Sequence, residues 1–443
     1  MGARRRLVVA AVLVCAAAGC RPGTPIREVV RPSAPHEQYV ASLHEARLHE
    51  TALGREWLDA GQRAIREPIS VSLPFREAGY LPPHEPAAVG YRIDLRRGQT
   101  LIVDVRIESA DAARLFIDAF ALNSEGAPER VAYAEDGSLS LTIQPERDGL
   151  YIVRLQPEML RGGRYEVVQR VTASLGFPVQ GFDSRAVASH FGAPREGGAR
   201  DHHGIDIFAP RGTPVVAAAD GWVSAVQTTP RGGRVVWVRS PSAGQSHYYA
   251  HLEEQLVSTG QRVRAGDPLG TVGNTGNAQT TPPHLHFGIY ARGEGPLDPL
   301  PFVHEPRVTP PAMTADADAL GTWRRTGGAR YRLRAGSSTD APILAELPRH
   351  TVVRLEAATG DWYRVALPDG TRGFVIARAT QPLAAPIRRH EPAAATLVRL
   401  HPGPGATPVA DLEPGARVPV LGLYESYVLV RTPDGREGWV EAG

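Results

Sequence analysis

The sequence contains no lysine, and all 49 of its basic residues are arginines. Chemistry that needs a lysine amine, such as Schiff-base formation or the phosphate-binding lysine of a P-loop, is therefore excluded. The basic residues are nearly balanced by 47 acidic ones, which leaves a formal net charge of +2 at pH 7. So small a charge produces little field to attract nucleic acid, and we expect no nucleic-acid partner.

Cysteine is also scarce, because the chain contains only Cys15 and Cys20. Both lie in an N-terminal stretch with the features of an export signal: three arginines at residues 4–6 precede an apolar run over residues 7–18 that is short for a membrane span. The run ends in Ala17-Ala18-Gly19-Cys20, which resembles the lipobox of bacterial lipoproteins. A plain signal peptide with a chance cysteine is the alternative.

The lipobox resemblance implies that residues 1–19 are a lipoprotein signal peptide and that Cys20 becomes the lipidated first residue. Removal of that segment leaves Cys20 as the one cysteine of the exported chain, consistent with a cysteine reserved for an anchor. Arg21 follows it, where bacterial lipoproteins kept at the inner membrane tend to carry Asp. We therefore expect an exported protein, lipid-anchored to the bacterial envelope at the periplasmic face of the outer membrane.

The rest of the chain is rich in glycine (46) and proline (39), which favours short β-elements over long helices. Residues 20–35 are predicted to be a tether, and residues 36–67 an amphipathic helix that packs on the next domain. Residues 69–172 alternate apolar and polar side chains in about eight runs separated by turns, which predicts a β-sandwich. That segment resembles the pre-peptidase C-terminal domain of secreted bacterial enzymes.

The C-terminal region contains an internal repeat. The segment at 368–375 matches the segment at 433–440 with an offset of 65 residues. After a proline-rich linker over 304–320, we predict two small β-barrel repeats at 321–380 and 394–443, which resemble bacterial Src-homology-3-like domains. Their aromatic residues either bind cell-wall material or fill the small cores; these are Tyr331, Trp362, Phe374 and Trp439.

Residues 173–303 carry the chemistry, in three short clusters that contain histidine. His284 and His286 are two apart in an alternating run, so a strand would present both imidazoles on one face. The second cluster contains His202, His203 and Asp206, and the third contains His251. The three clusters could converge on one metal ion, and a catalytic zinc ion takes three protein ligands from His, Asp or Glu and keeps one position open.

These clusters resemble those of the lysostaphin-type (LytM-like) zinc metallopeptidases, and the resemblance covers about residues 175–300. It implies a mainly antiparallel β-sheet domain in which His202, Asp206 and His286 hold one zinc ion, the cofactor. It implies that His251 and His284 stand beside the open position as catalytic residues. Of the neighbouring histidines, His190 is a candidate to support the site from outside, and His203 is expected to do so or to lie at the surface. His247 would share a face with His251 on a regular strand, but it is expected to face solvent.

The fold expected for the whole chain is thus mainly β and multidomain. The leading hypothesis is a membrane-anchored zinc metalloendopeptidase that hydrolyses the peptide cross-bridges of peptidoglycan, its partner. The alternative is a non-catalytic or latent family member that regulates cell-wall hydrolysis or division. In the latent form, the residues ahead of the peptidase domain would cover its groove. The loops at 227–246 and 292–298 are expected to decide which bond is cut.

Overall fold

The computed structural model of the protein describes residues 34–108, 114–306 and 309–442. The predicted signal peptide, Cys20 and nearly all of the predicted tether lie outside these ranges. The described chain is mainly β, as the sequence predicts. Of the helices in the described ranges, none has the length and apolar character needed to span a membrane.

The stretch predicted as one helix over 36–67 contains two helices. They are α1 (Pro35–Glu45) and α2 (Ala52–Arg66). The break lies at Arg47, whose backbone is left-handed (φ 57°) and so cannot continue a right-handed helix. Trp57 of α2 is buried and donates its Nε1–H to the carbonyl of Pro157 at 2.9 Å, so this helix packs on the domain that follows, as expected.

Residues 69–173 form a two-sheet β-sandwich, in agreement with the alternating pattern. Its strands are β1 (Ile69–Ser70), β2 (Phe75–Leu81), β3 (Val89–Leu95), β4 (Gln99–Glu108), β5 (Leu115–Leu122), β6 (Pro128–Tyr133), β7 (Ser140–Ile143), β8 (Gly149–Pro157) and β9 (Gly163–Ala173). One sheet has the order β1-β3-β8-β5-β6, and the other contains β2-β9-β4-β7. The apolar inner faces of both sheets share one core. The pre-peptidase resemblance of this segment stays a prediction.

The central domain is a large antiparallel sheet with a small hairpin beside it. Its elements are β10 (Val187–Ser189), β11 (Pro194–Arg195), β12 (Arg200–Asp201), β13 (Ile205–Phe208), β14 (Pro214–Val216), β15 (Gly221–Thr229), β16 (Gly233–Ser240), β17 (Gln245–Gln255), β18 (Arg262–Val263), β19 (Pro268–Val272), β20 (His284–Ala291), β21 (Gly295–Leu297) and α3 (Leu300–Val303). The main strand order is β10-β13-β20-β17-β16-β15-β18. One face packs on the core, where Ile205, Tyr249 and Phe287 are fully buried. The other face carries the clustered polar groups.

The C-terminal region contains two copies of one β module. The first comprises β22 (Trp323–Thr326), β23 (Arg330–Arg334), β24 (Ile343–Pro348), β25 (Val352–Thr359), β26 (Trp362–Ala366), β27 (Arg372–Ile376) and β28 (Thr380–Pro382). The second comprises β29 (Arg388–His390), β30 (Thr396–Arg399), β31 (Pro408–Leu412), β32 (Val418–Tyr424), β33 (Tyr427–Arg431) and β34 (Glu437–Glu441). Six strands recur at or within one residue of the 65-residue offset found in the sequence. Trp362, Phe374 and Trp439 are buried, which confirms a core role for these three aromatic residues.

The first C-terminal module and the sandwich share a sheet. Strand β25 pairs with β2, the edge of one sandwich sheet, through Ala357 opposite Gly79 and Ala358 opposite Ala78. The combined sheet runs β24-β23-β27-β26-β25-β2-β9-β4-β7. Two domains that are far apart in sequence are therefore joined by backbone hydrogen bonds.

Candidate metal centre

Two side chains from adjacent strands and one from the segment before β13 meet at one point of the central sheet. Asp206 on β13 lies directly opposite His286 on β20 in the strand register. His202 lies just before β13, and its chain segment turns back so that the imidazole reaches the same point. The structure thus brings His202 and Asp206, which are four residues apart, together with His286, which lies 80 residues further along the chain.

The donor atoms of this group form a nearly equilateral triangle. His202 Nε2 lies 3.0 Å from Asp206 Oδ1 and 2.9 Å from His286 Nδ1, and the third side, from His286 Nδ1 to Asp206 Oδ1, is 3.0 Å. His202 and Asp206 are buried, and His286 is half-buried. Burial raises the pKa of Asp206, but its contacts with His202 and His286 outweigh burial and hold that pKa well below the usual range.

The triangle fits a metal ion because, with both rings neutral, its three atoms have at most one hydrogen to share among them. His202 Nδ1 lies 2.9 Å from the carbonyl of His190, which can only accept, so this nitrogen carries the proton. In the neutral ring, His202 Nε2 then presents a lone pair toward the carboxylate oxygen and the second imidazole nitrogen. A cation between them removes that repulsion, and two nitrogens with one oxygen are a donor set typical of zinc.

A glycine makes room for one of these rings. A Cβ on Gly204 would lie 2.5 Å from the backbone oxygen of Phe287, and 2.8 Å from Cε1 and 2.9 Å from Nε2 of His286. Any other residue at 204 would therefore displace the backbone of β20 or the His286 ring.

His251 and His284 stand next to the triangle in equivalent hydrogen-bonded states. His251 Nδ1 lies 2.8 Å from the Thr275 carbonyl, and His284 Nδ1 lies 2.9 Å from the Pro282 carbonyl. Each Nδ1 must donate, so in its neutral form each ring has a lone pair on Nε2. The ring centroid of His251 lies 5.1 Å from that of His284 and 5.9 Å from that of His286. Burial lowers the pKa of His251 to about 4, which keeps this imidazole neutral at pH 7.

A β-bulge brings His251 into the site. Between the paired residues Val236–Tyr249 and Arg234–Leu252, β17 contains one more residue than β16. The extra residue interrupts the alternation that would place His251 on the core side with Tyr249. His251 has a left-handed backbone (φ 63°), which is rare for a residue other than glycine. The alternation expected through this cluster is thus interrupted, and the irregularity aims the imidazole at the site.

Comparison with known proteins agrees with this geometry. Residues 200–299 match the sequence profile of Peptidase family M23, and residues 327–380 match that of a Bacterial SH3 domain. We refer to residues 173–303, which contain the first match, as the M23 domain. The predicted resemblance to lysostaphin-type peptidases is confirmed for this domain, and the predicted similarity of the first C-terminal repeat is confirmed as well.

Relatives of the M23 domain include a protein named as a peptidoglycan peptidase and one named as a lipoprotein. ShyC of Vibrio cholerae, named a peptidoglycan DD-endopeptidase, is 38% identical over 115 residues, which are 25% of this chain and 26% of that protein. YgeR of Escherichia coli, named an uncharacterized lipoprotein, is 41% identical over 101 residues, 23% of this chain and 38% of that protein. The chain therefore spans well under half the length of these relatives.

Among solved structures, the catalytic domain of the antimicrobial peptidase lysostaphin from Staphylococcus simulans is 28% identical to this chain. The match covers 29% of this chain and 91% of that one, with a TM-score of 0.23.

Two further side chains of the M23 domain contact the candidate metal ligands. Arg195 Nη2 donates to Asp206 Oδ2 at 2.6 Å and to Ser189 Oγ at 2.6 Å. Ser189 Oγ in turn lies 3.4 Å from His202 Nδ1. Arg195 was absent from the sequence prediction. The β11–β12 hairpin, which carries it over Asp206, gives no periodic signal in the sequence.

The remaining histidines near the M23 site take three different places. His203 is exposed, as expected. His190 contributes its backbone carbonyl to His202 while its side chain is exposed. His247 is fully buried on the core face of β17 against Phe287, so the expectation that it faces solvent is wrong. Even spacing from His251 did not indicate a shared face, because the bulge lies between them.

The candidate metal ligands open onto a cleft of about 550 Å³. In the described part of the chain, every residue that lines this cleft lies between Ala188 and Tyr290, within the M23 domain. The sandwich therefore contributes no side chain to the lining of this cleft. The arrangement does not support a latent enzyme in which the N-terminal domain covers the groove.

Much of the segment at 227–246, which is predicted as a loop, is strand: it contains the end of β15, all of β16 and the start of β17.

Proposed function

We propose that this protein is a zinc metalloendopeptidase of the bacterial envelope that hydrolyses peptide cross-bridges of peptidoglycan. The observation that carries the proposal is the triangle of donor atoms from His202, Asp206 and His286, which opens onto a cleft beside the imidazoles of His251 and His284. When bound there, zinc would supply a Lewis acid and lower the pKa of a water molecule.

The other steps are metal binding and proton transfer, and different residues of this chain would perform them. His202, Asp206 and His286 would hold the metal. His251 and His284 each have Nδ1 fixed by a carbonyl and a lone pair on Nε2, so either ring can accept the proton of an attacking water. The protonated ring can then stabilise the negative oxygen of the tetrahedral intermediate or donate a proton to the leaving amine.

Peptidoglycan is the proposed substrate for two reasons. The M23 domain is similar to a protein named as a peptidoglycan DD-endopeptidase, and a match to a bacterial SH3 domain follows it in the same chain.

We further propose that lipidated Cys20 anchors the protein at the periplasmic face of the outer membrane. The lipobox resemblance supports this anchor. In addition, YgeR, a relative of the M23 domain, is named as a lipoprotein.

The test uses the chain from residue 21 to 443 with purified peptidoglycan. We expect mass spectrometry to show new amine and carboxyl ends on the stem peptides. Their formation should stop when a chelator is added and resume when zinc is restored. His284→Ala should abolish cleavage while one zinc ion per chain stays bound. His304→Ala is the matched control, because this exposed side chain contacts Ser184 and lies outside the cleft.

Two outcomes would contradict the proposal. Intact cross-links with one zinc ion bound per chain would exclude peptidoglycan hydrolysis by this protein. Intact cross-links with no zinc bound would favour the non-catalytic regulator.

A further inference from the structure

Three aromatic side chains line the cleft on the open face of the M23 sheet. Trp237 on β16, Tyr248 on β17 and Tyr290 on β20 are each half-buried. The ring centroid of Trp237 lies 4.5 Å from that of Tyr248 and 5.2 Å from that of Tyr290. We call these three residues the aromatic strip. The proposed mechanism uses none of them.

The aromatic strip begins at the metal ligands. The ring centroid of Tyr248 lies 5.8 Å from that of His286. Tyr290 is four residues beyond His286 on β20, about 13 Å along a strand. Its ring leans back over Gly288, where a Cβ would lie 3.1 Å from Tyr290 Cε2. The aromatic strip thus covers the length of a few extended peptide residues on one side of the metal ligands.

The placement of the aromatic strip indicates a binding surface. The exposed face of an antiparallel sheet usually carries polar side chains, whereas these rings present apolar surface to a cleft. A peptide whose scissile carbonyl lies at the metal would have its neighbouring residues over the rings. Aliphatic side chains gain from burial against aromatic faces, and glycine offers no side chain to bury.

We propose that the aromatic strip is the subsite for the side chains of the residues next to the cut bond. It makes the M23 domain select direct cross-links, whose residues bear side chains, over glycine bridges. This inference rests on the proposed peptidase function and deepens it by naming the substrate class.

The test compares two soluble substrates, a directly cross-linked stem-peptide dimer and a pentaglycine-bridged dimer. The wild-type protein should cleave the direct dimer with a higher kcat/KM. Trp237→Ala and Tyr290→Ala should each lower kcat/KM for the direct dimer about tenfold or more, with less than threefold change for the glycine-bridged one. Trp222→Ala is the matched control, since Trp222 is 38% exposed on β15 and lies outside the cleft.

Zinc content and melting temperature would show whether each variant is folded. Equal losses on both substrates in folded variants would overturn the inference, and so would a wild-type preference for glycine bridges. The dimers should be tested with and without their sugars. If the effect of the substitutions disappears in the sugar-free dimers, the aromatic strip binds glycan and the inference is wrong.

A binding measurement separates failure of this inference from failure of the proposed function. The zinc-free protein should bind an uncleaved stem tetrapeptide, followed by nuclear magnetic resonance, and Tyr290→Ala should weaken this binding about tenfold. If the wild-type protein cleaves neither dimer but binds the peptide through the aromatic strip, the proposed peptidase function fails and the subsite survives. Unchanged peptide binding in Tyr290→Ala would overturn the subsite.

Discussion

The two oxygens of Asp206 have separate roles. Oδ1 faces the imidazole nitrogens of the metal triangle, and Oδ2 accepts the hydrogen bond from Arg195. Since Oδ2 is engaged, the carboxylate is set to offer a single oxygen to a metal ion. The side chain of Arg195 is itself fixed by Ser189, so the orientation of a ligand depends on a contact that does not touch the metal.

Arg195→Met should therefore weaken zinc binding. We expect the dissociation constant for zinc to rise about 10- to 100-fold, which is the usual effect of removing a group that orients a metal ligand. Competition with a chromophoric chelator measures this constant. In the cobalt-substituted protein, the visible spectrum should also change, because the freed Oδ2 can join the coordination.

The matched control for this prediction is Arg185→Met in the same domain. Arg185 pairs with Asp183 at 2.8 Å but is largely exposed, with 81% of its side chain accessible. Equal zinc affinity in Arg195→Met and Arg185→Met would show that Arg195 does not support the metal ligands.

At the scale of the element, β17 places two histidines in opposite environments. His247 is buried in the core, and burial lowers its pKa to about 4. Four residues later, after the bulge, His251 faces the cleft. The same strand thus places His247 in the core of the domain and His251 in the candidate site.

The burial of His247 should make the M23 domain sensitive to acid. In the unfolded chain, this imidazole titrates at its ordinary pKa of about 6.5, whereas the folded domain keeps it neutral down to about pH 4. As pH falls from 6.5 to 4, the unfolded state therefore binds a proton that the folded state excludes. His247 should lower the free energy of unfolding by up to about 3 kcal/mol across this range.

His247→Gln removes this titration and should flatten the pH dependence. Melting temperatures of wild type and variant, measured on zinc-free protein at pH 7, 6, 5 and 4.5, check this prediction. The contributions of titratable groups that both proteins share cancel in the difference between their melting temperatures. A difference in melting temperature that stays constant from pH 7 to 4.5 would refute the role of His247.

For the whole molecule, the junction between the sandwich and the first C-terminal module contains a buried ion pair. Arg364 Nη1 lies 3.2 Å from Glu77 Oε1, with 8% and 0% of the two side chains exposed. Tyr91 and Tyr165 each donate their hydroxyl to the same Glu77 oxygen, at 2.7 and 2.8 Å. The β2–β25 pairing and this pair together join the two domains.

Arg364→Met should destabilise this junction by about 3–5 kcal/mol, because it leaves the Glu77 carboxylate buried without its cation. Scanning calorimetry should show a lower transition temperature for the joined sandwich and module. The double variant Glu77→Gln with Arg364→Met should be more stable than Arg364→Met alone, since no charge is then buried unpaired.

Arg372→Met is the control in the same module. Arg372 pairs with Glu356 at 2.9 Å, but 62% of its side chain is exposed, so we expect a loss of less than about 1 kcal/mol. Similar losses in Arg364→Met and Arg372→Met would mean that the buried pair does not couple the domains.

Much of the fold was predictable because it depends on local periodicity. Alternation indicated the sandwich strands, the 65-residue offset identified the two C-terminal modules, and the His-x-His spacing placed His284 and His286 on one face of β20. The single helix over 36–67 was wrong in detail, because hydrophobic spacing does not reveal a left-handed residue such as Arg47.

The sequence by itself indicated which residues belong to the candidate site and which face of a regular element they occupy, since side-chain direction repeats with a fixed period along a strand. The tertiary structure alone decided what depends on a neighbouring strand. The bulge that turns His251 toward the cleft exists only in the register of β17 with β16, and the contact of Arg195 with Asp206 needs a hairpin folded over β13. The aromatic strip and the shared sheet likewise arise when strands distant in sequence become neighbours, which no local period encodes.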